Sequence, residues 1–411
     1  MDTIKTSIYV PHYLWNDAQN VIPAFIKGMS HTKIITNALI NVLLTPKRCL
    51  NSNNDEYRAR TNYLERNNKT MLTFSYNTML LELVKEKYGV EDKSITNIII
   101  QVLKDAVNTP FQENSSIPPL FGIVGNKNEE MVEVFHKIVM KSDTYNKSNI
   151  YVEPFCGTCS LFLSLPLNSN CTYILNDLNK NIVNIFRVLI KKPLEFFYRC
   201  LDYDYDPNDY NANGVPNSNE RLNQLKAKVN SFQLNEHAVI KNVNYYSIDS
   251  AVDYLVYRNI RRNKTGKKTF CERLPLIFRI SKKLNSCNAK FLCKDGIEII
   301  KKYNNAGAFI VIDSPYINSE QYYSKIDDFK NRHSEIAKVL YQYKGNFVYF
   351  NRKTYPLAVK INRGVKDKIQ ESYIEDFFFD RGFYSYDHSI NEQVTECIIT
   401  NFETGMSTPY E

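Results

Sequence analysis

At 411 residues and 43% hydrophobic side chains, the chain has apolar surface for two or three packed domains, which excludes a disordered or fibrous class. No run approaches the roughly 18 uninterrupted apolar residues that a membrane span needs, and the opening MDTIKTSIYV lacks the basic-then-apolar layout of a signal peptide, so a soluble intracellular protein is expected. The formal net charge is +8, and nine cysteines are scattered through apolar runs such as FLCKD and ECIIT, a pattern of buried free thiols rather than a disulfide framework.

Residues 1–110 contain a repeat. KIITNALINVL from Lys33 aligns without gaps to KSITNIIIQVL from Lys93, with seven of eleven positions identical, and both copies run into Thr-Pro, at Thr45-Pro46 and Thr109-Pro110. Upstream of each lies a short alternating segment, KTSIYV from Lys5 and KTMLTF from Lys69, then a helix-like stretch and a break at Gly28 or Gly89. Each unit therefore reads strand, helix, helix. The alternation predicts Ile8, Val10, Leu72 and Phe74 inward, with Lys5, Ser7, Tyr9, Lys69, Met71 and Thr73 on the outer face. One unit cannot bury such a ribbon alone; two can, by pairing their strands antiparallel over their helices.

This pattern resembles the ribbon-helix-helix DNA-binding fold, with both halves of a dimer fused in one chain over residues 3–108. The resemblance implies that Lys5, Ser7, Tyr9, Lys69, Met71 and Thr73 read base edges in the major groove and that the start of each second helix meets phosphate. The acids Glu91 and Asp92 beside the second copy's helix start oppose that phosphate contact. The alternative is a helical dimerisation module without DNA contact, and a homodimer is the partner it would bring.

A polar linker, residues 111–120, separates the repeat from residues 121–411, where strand and helix patterns alternate as in an α/β domain with a mostly parallel sheet. Candidate strands are IYVEPF, TYILND, AKFLCKD, AFIVIDSPY and NFVYFN, apolar runs of the kind that parallel strands covered on both faces require. The Asn/Asp/Tyr/Pro-rich stretch between Tyr203 and Asn219 reads as a long loop, and residues 200–286 as an inserted subdomain. Within residues 258–294, twelve Arg and Lys stand against one acid, Glu272, so this stretch is +11 and the rest of the chain sums to −3. Such a block suits a polyanion, and Arg258, Arg261, Arg262, Lys264, Lys267 and Lys268, interleaved with Tyr257 and Phe270, are the expected phosphate contacts; a solvated surface helix is the alternative.

Strand IYVEPF runs straight into CGTCS and the helix pattern LFLSL, the strand, tight loop, helix arrangement that brings backbone N–H groups to a cofactor. About twenty residues further on, a second strand ends at Asp177, placed to accept hydrogen bonds from ribose hydroxyls. Strand AFIVI delivers Asp313-Ser314-Pro315-Tyr316 at its C-terminal end, where open α/β sheets keep their ligands. Read alone, this layout serves any nucleotide cofactor; the alternatives are a helix cap at Asp177 and a surface acid at Asp295. Cys156 and Cys159 lack a second Cys/His pair at zinc spacing, so no metal is expected. His333 and His388 receive no role.

Taken together, these motifs resemble the Dam-type, DPPY-type DNA adenine-N6 methyltransferases over most of residues 118–403. LFGIVGNK is similar to the family's N-terminal cofactor motif, EPFCGTCSLFL to EPFxGxGSxFL, NDLN to its ribose-binding segment, DSPY to the catalytic DPPY, and QVTECIITNF from Gln393 to its closing strand. The resemblance implies a Rossmann-like fold, S-adenosylmethionine as cofactor, double-stranded DNA as partner, and a cofactor pocket from Gly125, Lys127, Glu153, Phe155, Gly157, Cys159 and Asp177, with Asp295 near the cofactor's adenine. It implies catalysis by Asp313, Ser314, Pro315 and Tyr316. The N6 lone pair of adenine is delocalised into the ring, so hydrogen bonds from its N–H groups to the Asp313 carboxylate and the Ser314 carbonyl would turn it toward a nucleophile, with Tyr316 stacked on the flipped base. Two positions depart from the family: Cys159 replaces a glycine and is expected to crowd the methionine portion of the cofactor, and Ser314 replaces a proline. The rival expectation is a methyltransferase-fold DNA-binding protein with reduced or lost catalysis, serving as a repressor or as a replication or partition factor. RNA methylation shares the catalytic motif but suits the ribbon less well. On either DNA-acting reading the protein is intracellular and DNA-associated, cytoplasmic in a bacterium or phage-infected cell.

Overall fold

The alternation in TIKTSIYVP and KTMLTFSYN produces two nine-residue strands, β1 (Thr3–Pro11) and β2 (Lys69–Asn77). They belong to a computed structural model that describes residues 3–26, 28–45, 50, 69–108, 116–123, 127, 129–203, 219–234, 245–260, 267–315, 329–352, 384–391 and 394–402. The chain divides into two units: Met1–Ser115 with Leu189–Tyr210 and Thr265–Lys282, and Ser116–Val188 with Asn211–Lys264 and Lys283–Glu411. The 200–286 stretch is thus shared between both.

In the first unit β1 and β2 pair antiparallel from Thr3↔Asn77 to Pro11↔Lys69. The register is centred on Ser7 and Thr73, whose hydroxyls lie 2.9 Å apart. Ile8, Val10, Leu72 and Phe74 are buried, while Lys5, Ser7, Tyr9, Lys69, Met71 and Thr73 are exposed, the two faces that the alternation predicts. Each strand runs into a helix, α1 (His12–Val21) or α3 (Thr78–Tyr88). Asn77 starts α3 by accepting from Leu80 N at 3.1 Å, and Gly89 ends it at φ 68°, a left-handed position that glycine takes without strain. The repeated sequences form α2 (His31–Leu44) and α4 (Ile95–Asn108), and α1 packs on α4 while α2 packs on α3 and α4. Each half therefore buries its apolar face against the other half.

Identical residues in the repeat do different work. Asn37 is buried and clamps Ile26 with both ends of its amide, accepting from its N–H at 2.8 Å and donating to its carbonyl at 3.0 Å, whereas Asn97 is exposed. Helix α4 instead buries Asp105, which accepts from the Tyr88 hydroxyl at 2.6 Å.

The second unit is built on a seven-stranded sheet in the order β5 (Lys290–Leu292), β4 (Thr172–Asn176), β3 (Ile150–Glu153), β6 (Ala308–Ile312), β7 (Asn346–Arg352), β9 (Val394–Thr400), β8 (Tyr384–Asn391). Strands β5 to β7 are mutually parallel, and β9 runs antiparallel to both neighbours. All five candidate strands form, and QVTECIITNF becomes β9. Strand β8 was not among the expected ones. The core joins Val152, Ile174, Ile310, Phe347 and Ile399 of the sheet to Ile297, Ile336 and Leu340 of the helices. This is a Rossmann-like α/β architecture, in which the strand order reverses between β3 and β6 and opens a crevice beyond their C-terminal ends. Among the described residues no helix is long and apolar enough to cross a membrane.

Candidate active site

The crevice is walled by two connections. After β3, residues 154–159 turn into the short helix α6 (Ser160–Ser164). Asn176, at the end of β4, welds this turn to its neighbours: its side-chain amide donates to the Pro154 carbonyl at 2.8 Å and to the Lys294 carbonyl at 2.9 Å, and it accepts from Lys294 N at 3.0 Å. Cys156 N donates to the Asn176 carbonyl at 2.8 Å. Gly157 sits at φ 49°, and a side chain there would meet Ile123 at 2.8 Å. Its N–H donates to Asp177 Oδ2 at 2.9 Å, while Asn179 N donates to Oδ1 at 2.8 Å. Asp177 therefore first serves the loop, using two of the roughly four acceptor positions of a carboxylate.

Cys159 is the helix-cap residue of α6 and lies at φ 58°, ψ 25°, left-handed backbone that an L side chain enters at a cost of about 1–2 kcal/mol. Glycine at the family's position is thus explained by backbone conformation as well as by clearance. The Cys159 side chain is wholly buried, and its backbone N–H donates to the Cys156 carbonyl at 2.6 Å. Burial pushes the Cys159 thiol up to about 11 and that of Cys156 well above its ordinary value, so neither is poised as a thiolate. Among the described residues no three His, Cys, Asp or Glu cluster as metal ligands.

The second connection follows β6. Asp313 Oδ1 is 2.7 Å from Lys127 Nζ, a lysine side chain only 2% exposed against 19% for the aspartate. Lys127 Nζ also lies 5.1 Å from the centre of the Phe350 ring on β7. Ser314 is buried, and its Oγ has no hydrogen-bond partner among the described residues. His333, on α14 (Phe329–Tyr341), places Nε2 2.7 Å from the Pro315 carbonyl and Nδ1 2.7 Å from the Tyr349 hydroxyl.

Between the two connections, Glu153 is buried at the end of β3 and accepts from the Tyr151 hydroxyl at 2.5 Å. Burial raises its carboxyl to about 8, the Tyr151 hydrogen bond opposes this, and the charge of Asp313 adds to it. Burial likewise raises Asp177 to about 6, against the two backbone N–H bonds. Phe155 lies against Gly296, where a side chain would strike its ring. Asp295 caps α13 (Gly296–Lys302) by accepting from Ile297 N at 2.8 Å, and pairs with Arg332 at 2.7 Å.

The structure thus brings Lys127 to Asp313, and Gly157 to Asp177. Gly125, Tyr316, Arg261, Arg262 and Lys264 lie outside the described residues, as do the side chains of Lys267 and Lys268 on α11 (Lys267–Arg273). Arg258, at the end of α10 (Ile248–Arg258), donates from Nε and Nη2 to the Gly122 carbonyl at 3.0 and 2.8 Å, a tie to the segment before Lys127. Lys283 caps the C-terminal end of α6, donating to the Leu163 and Leu165 carbonyls at 2.8 and 2.5 Å. Part of the basic stretch is therefore spent inside the fold. Sequence reasoning missed His333, and its signal was position: with Ile336, Ala337 and Leu340 it falls on the buried stripe of α14, where a polar residue needs a partner.

Residues 124–377, well over half the chain, match the family model of the D12 class N6 adenine-specific DNA methyltransferases. No curated protein matches the chain.

Proposed function

The chain belongs to the D12 class N6 adenine-specific DNA methyltransferases, enzymes that use S-adenosylmethionine to methylate adenine N6 in DNA, and from that premise we propose which of its residues carry the reaction. The observation that supports the assignment most is the 2.7 Å pairing of Lys127 with Asp313, which joins two family motifs at the crevice between β3 and β6.

The residues after β3 fit the cofactor. Gly157 leaves a cradle that a side chain would fill, and Asp177, half-buried, keeps acceptor capacity for ribose hydroxyls. We assign the cofactor to Gly125, Lys127, Glu153, Phe155, Gly157, Cys159 and Asp177, with Asp295 bordering its adenine side. S-adenosylmethionine, when bound, supplies the electrophilic methyl group. Lys127 holds the Asp313 carboxylate, which accepts from the target amine together with the Ser314 carbonyl; Pro315 stiffens the turn and Tyr316 stacks on the base. The inactive-protein alternative is not favoured: Cys159 is accommodated as a buried residue, and the Asp, Pro and Tyr of the motif are intact.

DNA contact divides between two regions in this reading. The exposed face of the ribbon, Lys5, Ser7, Tyr9, Lys69, Met71 and Thr73, reads bases, and Arg261, Arg262, Lys264, Lys267 and Lys268 hold phosphates, with Arg258 bracing their segment through Gly122. The ribbon is complete within one chain, so a homodimer would form through another surface. The protein would work inside the cell in association with DNA, in the cytoplasm if its host is bacterial.

Asp313→Ala tests the assignment. Methylation of adenine-containing duplexes should fall about 100- to 1000-fold or more, the range seen when one preorganised hydrogen-bonding group is lost, with duplex affinity largely intact. Unchanged methylation by the variant would remove Asp313 from the chemistry.

A further inference from the structure

We propose that His333, backed by Tyr349, is a positioning residue that fixes the Asp313–Pro315 strap from the side opposite Lys127; the inference rests on the reading of that strap as catalytic. The strap leaves β6 at Ile312, and Pro315 has a carbonyl to satisfy and no N–H to contribute. A carbonyl can only accept, so the His333 nitrogen 2.7 Å away, Nε2, must carry the proton. In the neutral ring Nδ1 is then the acceptor, and the Tyr349 hydroxyl at 2.7 Å is its donor.

The chain of bonds is dry and short. His333 is 1% exposed and Tyr349 wholly buried, so water does not compete for either bond. Tyr349 pairs with Ile312 in the β6–β7 register, which places the anchor beside the last residue of β6 before the strap. The next residue on β7, Phe350, supports Lys127. Adjacent residues of one strand point to opposite faces, so β7 braces the strap from both, through Lys127 at Asp313 and through His333 at Pro315. Between the anchors lies the Ser314 carbonyl, the second acceptor assigned to the target amine. Its direction follows from the peptide planes on either side, and those are what the two anchors hold.

The test uses the full-length protein with His333→Leu, His333→Gln and Tyr349→Phe. Leucine removes the donor, and kcat should fall about 100-fold, as for a roughly 1 Å misplacement, while KM for S-adenosylmethionine and duplex affinity stay within about twofold. Glutamine retains an amide donor at similar reach and should recover most of the lost kcat. Tyr349→Phe should cost less, and nothing further when added to His333→Leu. Nitrogen-15 NMR of histidine-labelled wild type should show one exchange-protected ring with Nε2 protonated and Nδ1 bare, absent from His333→Gln. That spectrum is read without turnover, so it judges the anchor even if the strap were not catalytic or a variant failed to fold. A ring protonated at Nδ1 with Nε2 bare, a leucine variant with wild-type kcat, or a glutamine variant as impaired as leucine would overturn the proposal.

Discussion

The two connections at the sheet's reversal point are held in opposite ways. The loop after β3 is fixed from within the sheet, by backbone groups and by Asn176 and Asp177, at the end of the neighbouring strand β4 and just beyond it. The strap after β6 is fixed from outside the sheet, by Lys127 ahead of it and by His333 on a helix that follows β6. On the proposed assignment the contrast separates two tasks. A cofactor cradle needs a fixed shape and clearance, which a turn tied to the next strand supplies. A group that must polarise an amine needs its acceptor atoms aimed, and side chains brought from elsewhere over-determine that aim.

Where β3 enters the loop, the buried carboxyl of Glu153 gives the largest expected departure from this picture. Its value in the fold, about 8, lies above the 4.5 of an unperturbed glutamate. Between these values the folded state holds a proton that the unfolded chain has released, so stability falls as pH rises from about 4.5 through 8. Asp177, raised from 3.8 to about 6, adds the same trend at the acid end. Glu153→Gln keeps an acceptor for Tyr151 and has no proton to lose. Urea unfolding at pH 5, 6.5 and 8 should show wild type weakening across the series and the variant weakening less, so that the variant gains relative to wild type toward pH 8. Parallel pH profiles would place the Glu153 carboxyl in a wetter setting than its burial indicates.

A smaller effect is expected at Cys159. Replacing it with glycine relieves left-handed strain at φ 58° but adds freedom to the unfolded chain and removes a buried thiol, so the net gain should be no more than about 1 kcal/mol. Thermal unfolding measures it. A loss of 2 kcal/mol or more would mean that the Cys156–Cys159 contact contributes more to the loop than the strain takes away.

The loop was largely legible in the sequence, and the strap's supports were not. Motif order and the continuous apolar runs located β3, β4, β6 and β7, because strands buried on both faces must be apolar. Strand β8, YSYDHSIN, is a largely polar alternation with no continuous apolar run, which the reading for buried strands does not detect. Cys159 announced a departure from glycine, but residue type does not report φ, so the conformational reason came only with the structure. The motif of Lys127 points to the cofactor, while its ion-pair partner Asp313 lies in another motif that the fold alone brings near. In the repeat, seven shared identities predicted the paired halves, yet Asn37 and Asn97 ended in different surroundings, since the connections before α2 and α4 differ in length.

Titration of S-adenosylmethionine into wild type, Asp313→Ala and Gly157→Val, followed by isothermal calorimetry, tests the division between a loop that binds and a strap that reacts. Wild type and Asp313→Ala should bind with affinities within a fewfold of each other, and Gly157→Val, whose side chain would strike Ile123 at a left-handed position, should lose binding by about tenfold or more, with unfolding curves confirming that it is folded. No binding by wild type, or an affinity loss in Asp313→Ala as large as that in Gly157→Val, would contradict the account.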